Sequence, residues 1–164
     1  MATQPIKAIL QVTNYSGHHG TLTTEGTSQS FKNGNLLVPD GTTGNANAAT
    51  AGAGAAAGKL MLAAKDSENS ATPRKNALPV VRPTPSMIFE ISAVGVSSTA
   101  NTKAGTQYGY AIDGTTGYGV LSLADTTNVV FELVQHNGTT IAPQGGVVTD
   151  TNVRVYARIL GTKL

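Results

Sequence analysis

The sequence predicts an all-β protein, an antiparallel β-barrel or β-sandwich with an extended N-terminal arm and a flexible Ala/Gly-rich loop. Apolar residues recur with a period of two along the chain, while helical periodicity is nearly absent. The composition is rich in Gly (19 residues) and Thr, and charged residues make up only 12%, about half the level usual in soluble domains. Turn-forming dipeptides separate the alternating segments at short intervals.

Four segments alternate most clearly, and each predicts a strand. They are Ile6–Val12, Met87–Ala93, Phe131–Leu133 and Val153–Ile159. Because successive side chains on a strand point to opposite faces, each segment has one face for the core and one for the outside. The outward faces also carry apolar residues, which predicts contact with a second sheet or with a partner subunit; these residues are Ile9, Ile88, Val94, Val130 and Val134.

Turn signals divide the chain further. Asn33-Gly34, between Phe31 and the run from Leu36, is a strong hairpin signal. Three prolines, Pro79, Pro83 and Pro85, precede the Met87 strand and predict an extended edge or connection with few ladder bonds. Further turn dipeptides are Asp40-Gly41, Asp113-Gly114 and Asn137-Gly138.

The domain organisation predicted is an N-terminal strand and arm over residues 1–30, followed by one β-barrel or β-sandwich domain over residues 31–164. Residues 13–30 are polar and contain little core material. Residues 41–58 are low in complexity, and their interspersed Gly and Asn oppose the helix that Ala favours. We expect this segment to be a flexible loop with one short helical turn, leading into a strand at Lys59–Lys65.

Charge and composition limit the classes of partner. The net charge is only +2, and the densest basic group, Arg74, Lys75 and Arg82, is too sparse for a nucleic-acid surface. This group is expected to solvate a loop or to meet an acidic partner. No apolar stretch approaches the roughly 20 residues of a membrane span, and the N-terminus lacks the features of a signal peptide. We therefore expect a protein made in the cytoplasm.

The neutral faces leave two interpretations open. A surface of Thr and Gly loses little hydration energy on burial, so it suits lasting contacts with other chains. A Thr-rich soluble β domain with nothing docked on it fits the composition equally well.

The chemistry-bearing residues form no convincing metal site. The chain has no cysteine, which excludes disulfides and thiolate ligands. His18-His19 with Glu25 combines ligand types, but adjacent residues of an extended chain point to opposite sides and rarely hold one ion. We therefore predict no bound metal.

No enzyme signature is complete either. The segment GAGAAAGK at residues 52–59 resembles a phosphate-binding loop, but Ala53 stands where its first Gly belongs and Leu60 where its hydroxyl residue belongs. The strained turn that presents a nucleophilic Ser is missing, and carboxylates are few. We predict a protein that is not an enzyme, with no catalytic, metal-binding or cofactor-binding residues.

The aromatic residues concentrate in QYGYAIDGTTGYG. Tyr108 and Tyr110 share one face of a predicted strand, with Tyr118 following. They could stack on a ligand or a base, although no basic residues interleave with them. Packing across a Gly-rich hairpin, or against a neighbouring subunit, is the favoured alternative.

Five segments of strand and turn follow one another over roughly residues 31–136: FKNGNLLVPDG, GKLMLAAKDSENSAT, LPVVRPTPSMIFEISAVG, GTQYGYAIDGTTGYGVLSL and TTNVVFELVQ. They include the pairs Phe89-Glu90 and Phe131-Glu132. This order of segments resembles the small head-decoration, or cement, proteins of tailed bacteriophages.

The resemblance implies a structural virion protein with no cofactor. Such a protein is made in the host cytoplasm, binds the outer surface of an assembled capsid and bridges subunits of the major capsid protein. It is expected to form homotrimers and to have neither nucleic acid nor membrane as a partner. The body would sit on one subunit and an arm, strand Ile6–Val12 with loop Asn14–Glu25, on another. The contact residues expected are Ile6, Ile9, Tyr15, His18, His19, Arg74, Lys75, Arg82, Tyr108 and Tyr110.

Two alternatives come from other classes. A β-rich receptor- or glycan-binding module of a phage tail fibre or spike has the same composition, and it predicts exposed side chains at Tyr108, Tyr110 or Tyr118. A β-barrel hydrolase needs a cluster of carboxylate, His or Ser side chains in a pocket, and the sequence does not supply one.

Overall fold

The regular secondary structure of the chain is almost all β in the computed structural model, which describes residues 6–10, 21–56, 58–72, 77–95, 102–142 and 152–164. These ranges contain little helix; the stretches with defined bounds are α1 (Ala53–Ala56) and a 3-10 turn at Gly161–Lys163. The all-β prediction is confirmed. The strands are β1 Lys7–Leu10, β2 Thr21–Thr23, β3 Leu36–Pro39, β4 Ala46–Ala48, β5 Met61–Ala63, β6 Leu78–Val81, β7 Ile88–Val94, β8 Gln107–Ile112, β9 Gly119–Ser122, β10 Phe131–Leu133 and β11 Asn152–Ile159.

The first sheet closes on itself. Its order is β1-β7-β11-β10-β8-β9, and β9 pairs back with β7, so five of the six strands form a barrel. The closing pair is parallel, with Ala93 opposite Leu121, whereas the other pairs of this sheet are antiparallel. β1 pairs with the start of β7, where Ala8 lies opposite Phe89.

The barrel core follows the predicted alternation. Phe89 and Ile91 on β7, and Val155 on β11, are fully buried, and Ile91 lies opposite Val155 in the antiparallel register. Glu90 lies on the outward face of β7 and is only half-buried. The period-two pattern therefore identifies the inner face of these two strands correctly.

The second sheet has the order β2-β6-β5-β3-β4, and its pairs are antiparallel. Just after β2, Glu25 forms a parallel bridge to Ala46 of β4, and the Gly26 N–H donates to the Ala46 carbonyl (3.0 Å). The two edges of this sheet are thus joined. The sheet encloses its own small core of Phe31, Leu37, Ala46, Met61, Ala63, Leu78 and Val80.

The two sheets pack together through β5, which is buried on both faces. Met61 belongs to the small core of the second sheet, while Leu62 belongs to the main core with the barrel residues. Asn35 adds a polar link, because its side-chain Nδ2 donates to the Gly117 carbonyl (2.9 Å) and its Oδ1 accepts from the Gly119 N–H (2.7 Å). The short loop before β3 is therefore bonded to the hairpin between β8 and β9.

The Ala/Gly-rich segment 41–58 contains the one short helical turn that the sequence predicts, which is α1. It differs from a flexible loop elsewhere, because it also contains strand β4, and Ala46, Ala49 and Ala55 are buried. The prediction of a flexible loop is wrong for these residues because a methyl side chain packs where the backbones approach closely. The strand predicted at Lys59–Lys65 is shortened to Met61–Ala63.

The N-terminal segment pairs with both sheets where it is described. β1 joins β7 and β2 joins β6, so these strands belong to the folded body. Residues 11–20, which include the predicted strand end at Val12, lie outside the described residues. The domain boundary at residue 30 and an arm formed by residues 11–20 stay predictions. No helix in the described part of the chain has the length and apolar character that crossing a membrane requires.

Candidate functional site

A groove opens at the end of the second sheet where β5 begins and β6 ends. Its volume is about 330 Å³. The buried residues Leu60, Met61 and Pro83 line it, and the exposed residues Lys59 and Arg82 stand at its rim. We call this feature the basic-rimmed groove. Its remaining lining residues are Thr23, Pro39, Gly44 and Leu164.

The pairing of β5 with β6 brings the two cations together. Leu62 lies opposite Val81 in an antiparallel register, so the chain just before β5 and the chain just after β6 lie at the same end of the pair. Lys59 and Arg82 occupy these two positions. The sequence indicated Arg82 as a contact residue but not Lys59, because no local pattern shows which distant strands pair.

The backbone at Lys59 is held in an unusual conformation. Its φ is +56°, in the left-handed region that residues other than Gly, Asn and Asp seldom adopt. The following N–H, from Leu60, donates to the Lys163 carbonyl (2.9 Å), so the C-terminal turn holds the bend in place. A non-Gly residue kept in this region is often found at a binding site.

Neither rim cation has an ion pair or a hydrogen bond among the described residues. Other basic side chains do: Lys32 pairs with Asp66 (3.5 Å) and Arg158 with Glu132 (3.0 Å). The charges of Lys59 and Arg82 are therefore available to an acidic group of another molecule. Together with the apolar floor, they favour a ligand that combines a carboxylate with an apolar side chain.

A second polar cluster, on the outside of the barrel, is buried and internally satisfied. Arg154 is only 3% exposed. Its Nε donates to the side-chain carboxylate of Glu90, and its Nη2 donates to the backbone carbonyl of Glu90 (3.1 Å). Its Nη1 donates to the Ser92 hydroxyl (3.1 Å). Burial, and then the negative charge of Glu90, raise the pKa of Tyr156 on the same face. The ring of His136 packs edge-on against Tyr156. Since its donors bond within the chain, this cluster stabilises the β7–β11 pair.

Three residues predicted to contact a partner lie in the core instead. Ile6 and Tyr108 are 6% exposed and Tyr110 is 1% exposed, so the prediction of surface contacts is wrong for them. Tyr108 and Tyr110 do share a face of β8, but barrel closure turns that face inward. The Tyr110 hydroxyl accepts the Leu36 N–H (3.2 Å), and burial raises the pKa of this tyrosine far above its ordinary value.

Of the seven other residues predicted to contact a partner, the structure describes Ile9 and Arg82. Ile9 belongs to β1, and Arg82 is exposed at the groove. The remaining five, Tyr15, His18, His19, Arg74 and Lys75, lie outside the described residues.

Within the described ranges, His, Asp and Glu side chains form no group of three or more that could hold a metal ion. Glu25 is 1% exposed, and its carboxylate accepts the Glu68 and Asn69 N–H groups (3.0 and 3.2 Å), which fixes the loop at residues 66–72.

One turn motif occurs twice in the chain, and its repetition was not predicted from the sequence. The motif DGTTG joins β3 to β4 and, again, β8 to β9. In both copies the Asp carboxylate (Asp40 or Asp113) accepts the backbone N–H groups of both threonines. The second glycine of each copy, Gly44 or Gly117, has a positive φ and bonds back to the Asp carbonyl. In the first copy, the N–H and the hydroxyl of Thr43, and then the N–H of Thr42, bond to the Asp40 carboxylate and lower its pKa.

Comparison with protein-family models, with curated proteins and with solved structures finds no match to the chain.

Proposed function

We propose that this chain is a structural virion protein that binds the outer surface of an assembled phage capsid and stabilises it by bridging subunits of the major capsid protein. The observation that carries the proposal is the basic-rimmed groove, where Lys59 and Arg82 have no ion pair among the described residues. The sequence resemblance supplies the class of partner, and the groove supplies a surface suited to it.

The groove has the chemistry of a protein contact. Arginine and apolar residues are enriched at the centres of protein interfaces. An acidic side chain of a shell subunit would pair with Lys59 or Arg82 while an apolar neighbour covers Leu60 and Pro83. The DGTTG turn that contributes Gly44 to the groove is neutral apart from Asp40, so this neighbouring surface loses little hydration energy on contact.

Stabilisation of the shell follows from selective binding. A protein that binds the assembled shell, and not the separate subunits, shifts the equilibrium towards assembly. Many copies on one shell multiply a modest contact energy. Homotrimer formation and a location on the virion surface are part of the same proposal, and sedimentation velocity of the purified protein tests the trimer.

The alternative of a receptor- or glycan-binding module has no supporting observation in the part of the chain that the structure describes. It needs exposed aromatic side chains, but Tyr108 and Tyr110 are buried and Tyr118 is half-buried. We therefore prefer the capsid-binding proposal.

Co-sedimentation with empty capsids of the phage that carries the gene tests the proposal. We expect the protein to pellet with capsids and to bind less tightly as salt is raised, because exposed charges are screened. Lys59→Glu with Arg82→Glu should weaken binding at least about tenfold, or about 1.4 kcal/mol. The matched control is Lys65→Glu with Lys103→Glu, which makes the same double charge reversal at exposed lysines outside the groove.

The outcomes separate the claims. If the unchanged protein does not pellet with capsids at any salt concentration, the proposed function is wrong. If it pellets, and the groove variant binds as tightly as the control with Lys65→Glu and Lys103→Glu, capsid binding stands and the groove is not its contact.

The arm is tested by replacing residues 11–20 with a Gly/Ser linker of equal length. Deleting residues 1–25 would also remove β1, β2 and the Glu25 carboxylate, so it would damage the fold. The linker variant is expected to keep the unfolding midpoint and to lose capsid affinity. Unchanged affinity would show that residues 11–20 do not act as an arm.

A further inference from the structure

The chain contains two Asn-Gly pairs, Asn33-Gly34 and Asn137-Gly138. In such a pair the Gly backbone nitrogen can attack the Asn side-chain carbonyl carbon and expel ammonia, which leaves a five-membered succinimide ring. Water then opens the ring to aspartate or isoaspartate, so no other reactant is needed. Glycine permits the attack because it has no side chain to obstruct the nitrogen and its backbone turns easily.

The fold holds the nitrogen of the first pair in place. Gly34 is buried, and its N–H donates to the Ala63 carbonyl at 2.7 Å. The Asn33 N–H donates to the Asp66 carboxylate, also at 2.7 Å. Attack on the Asn33 side chain therefore requires the Gly34 N–H to leave the carbonyl at the end of β5. Local opening of bonded, buried backbone of this kind is rare.

The second pair is at the tip of an exposed hairpin. Asn137 and Gly138 have φ values of +53° and +80°, and both are exposed. They join His136 to Thr139, whose two backbone hydrogen bonds measure 2.9 and 3.3 Å. Among the described residues the Gly138 N–H has no hydrogen-bond acceptor. Only the end of a hairpin has to open for the nitrogen to reach the side chain.

We propose that Asn137 is a site of spontaneous deamidation and that the fold protects Asn33 from the same reaction. The product carries a new carboxylate on the hairpin tip and reduces the net charge by one. Where isoaspartate forms, the backbone gains one carbon atom, so His136 and Thr139 lose the two-residue turn that now pairs them. The modified protein is thus changed in both charge and shape at this surface.

Peptide mapping by mass spectrometry, after incubation of the folded protein in warm, mildly alkaline buffer, tests the proposal. A urea-unfolded sample sets the incubation time, which ends when its peptides containing residues 33 and 137 have both largely converted. In the folded protein, conversion at Asn137 should exceed conversion at Asn33 at least about tenfold, the ratio given by about 1.4 kcal/mol of additional opening free energy.

Two variants sharpen the comparison. Asp66→Ala removes the carboxylate that accepts the Asn33 N–H, so it should speed conversion at Asn33 and leave Asn137 unchanged. Asn137→Gln should abolish the new acidic species of the folded protein on ion exchange. Equal conversion of the two sites in the folded protein, or an Asn137 that stays intact there, would overturn the proposal.

Discussion

Replacing Asn35 with Ala should destabilise the protein strongly, because this buried side chain makes two hydrogen bonds between the second sheet and the barrel. Asn35 is 2% exposed. Its Oδ1 accepts the N–H of Gly119 at 2.7 Å, and its Nδ2 donates to the carbonyl of Gly117 at 2.9 Å. These atoms lie at the end of the β8–β9 hairpin, more than 80 residues away along the chain.

The magnitude follows from what each lost bond leaves behind. Gly119 is buried, so in the Ala variant its N–H has neither a protein acceptor nor easy access to water, which costs about 1–3 kcal/mol. Gly117 is half-buried and its carbonyl can turn towards water, so that bond contributes about 0.5–1.5 kcal/mol. We expect a loss of about 2–4 kcal/mol in the free energy of unfolding, a large part of the roughly 5–15 kcal/mol of a typical domain.

Urea unfolding, followed by circular dichroism and extrapolated linearly to water, measures this loss. The control is Asn45→Ala, because Asn45 bonds to Thr43 through its backbone N–H. That variant should stay within about 0.5 kcal/mol of the unchanged protein. If Asn35→Ala gives a loss as small as that of Asn45→Ala at an unchanged denaturant slope, the link between the sheets does not depend on Asn35.

Three further predictions concern buried polar groups. Because burial raises the pKa of Tyr110, its contribution to stability is complete below the ordinary value of 10.0 and is lost above it, by about 1.4 kcal/mol per pH unit; in urea titrations across that range, Tyr110→Phe should show a shallower decline. Glu25→Gln weakens the two backbone hydrogen bonds to the loop at residues 66–72, so limited proteolysis should cut this loop faster, with about 1–2 kcal/mol less stability. Arg154→Met leaves Glu90 without its cation and should cost about 3–5 kcal/mol, much of which Glu90→Leu in the same chain should restore; a double variant as unstable as Arg154→Met would contradict this account.

The parts of the fold that could be predicted are those set by neighbours in sequence. Phe89 and Ile91 alternate with Glu90, and the structure places them as that pattern requires. The pairing of β7 with β9, which closes the barrel, could not be predicted, because strands far apart in sequence carry no local signal of their partners. The same limit explains why Tyr108 and Tyr110 were wrongly predicted to lie at the surface. Alternation places both on one face of β8, but only barrel closure decides that this face points into the core.

The candidate site was partly predictable for the same reason. Arg82 was predicted as a member of the basic group with Arg74 and Lys75, whereas Lys59 directly follows the low-complexity segment 41–58, whose methyl side chains show little periodicity. Burial of Ala46 and Ala55 reveals that this segment packs against the core, and a packed segment can hold Lys59 in its left-handed conformation. The small side chains that made the region look like a loop are thus what allows it to pack closely against the cores.

The packing of the two sheets also bears on how such a surface can bind. β5 contributes Leu62 to the main core and Met61 to the small core, and Met61 also lines the basic-rimmed groove. The groove floor is therefore continuous with the packed interior, and Asn35 ties the strand beside β5 to the barrel. A surface supported in this way loses little conformational entropy on binding, since its backbone is already ordered. If the chain binds capsids as proposed, Asn35→Ala should weaken that binding as well as stability in the co-sedimentation assay, although Asn35 does not line the groove.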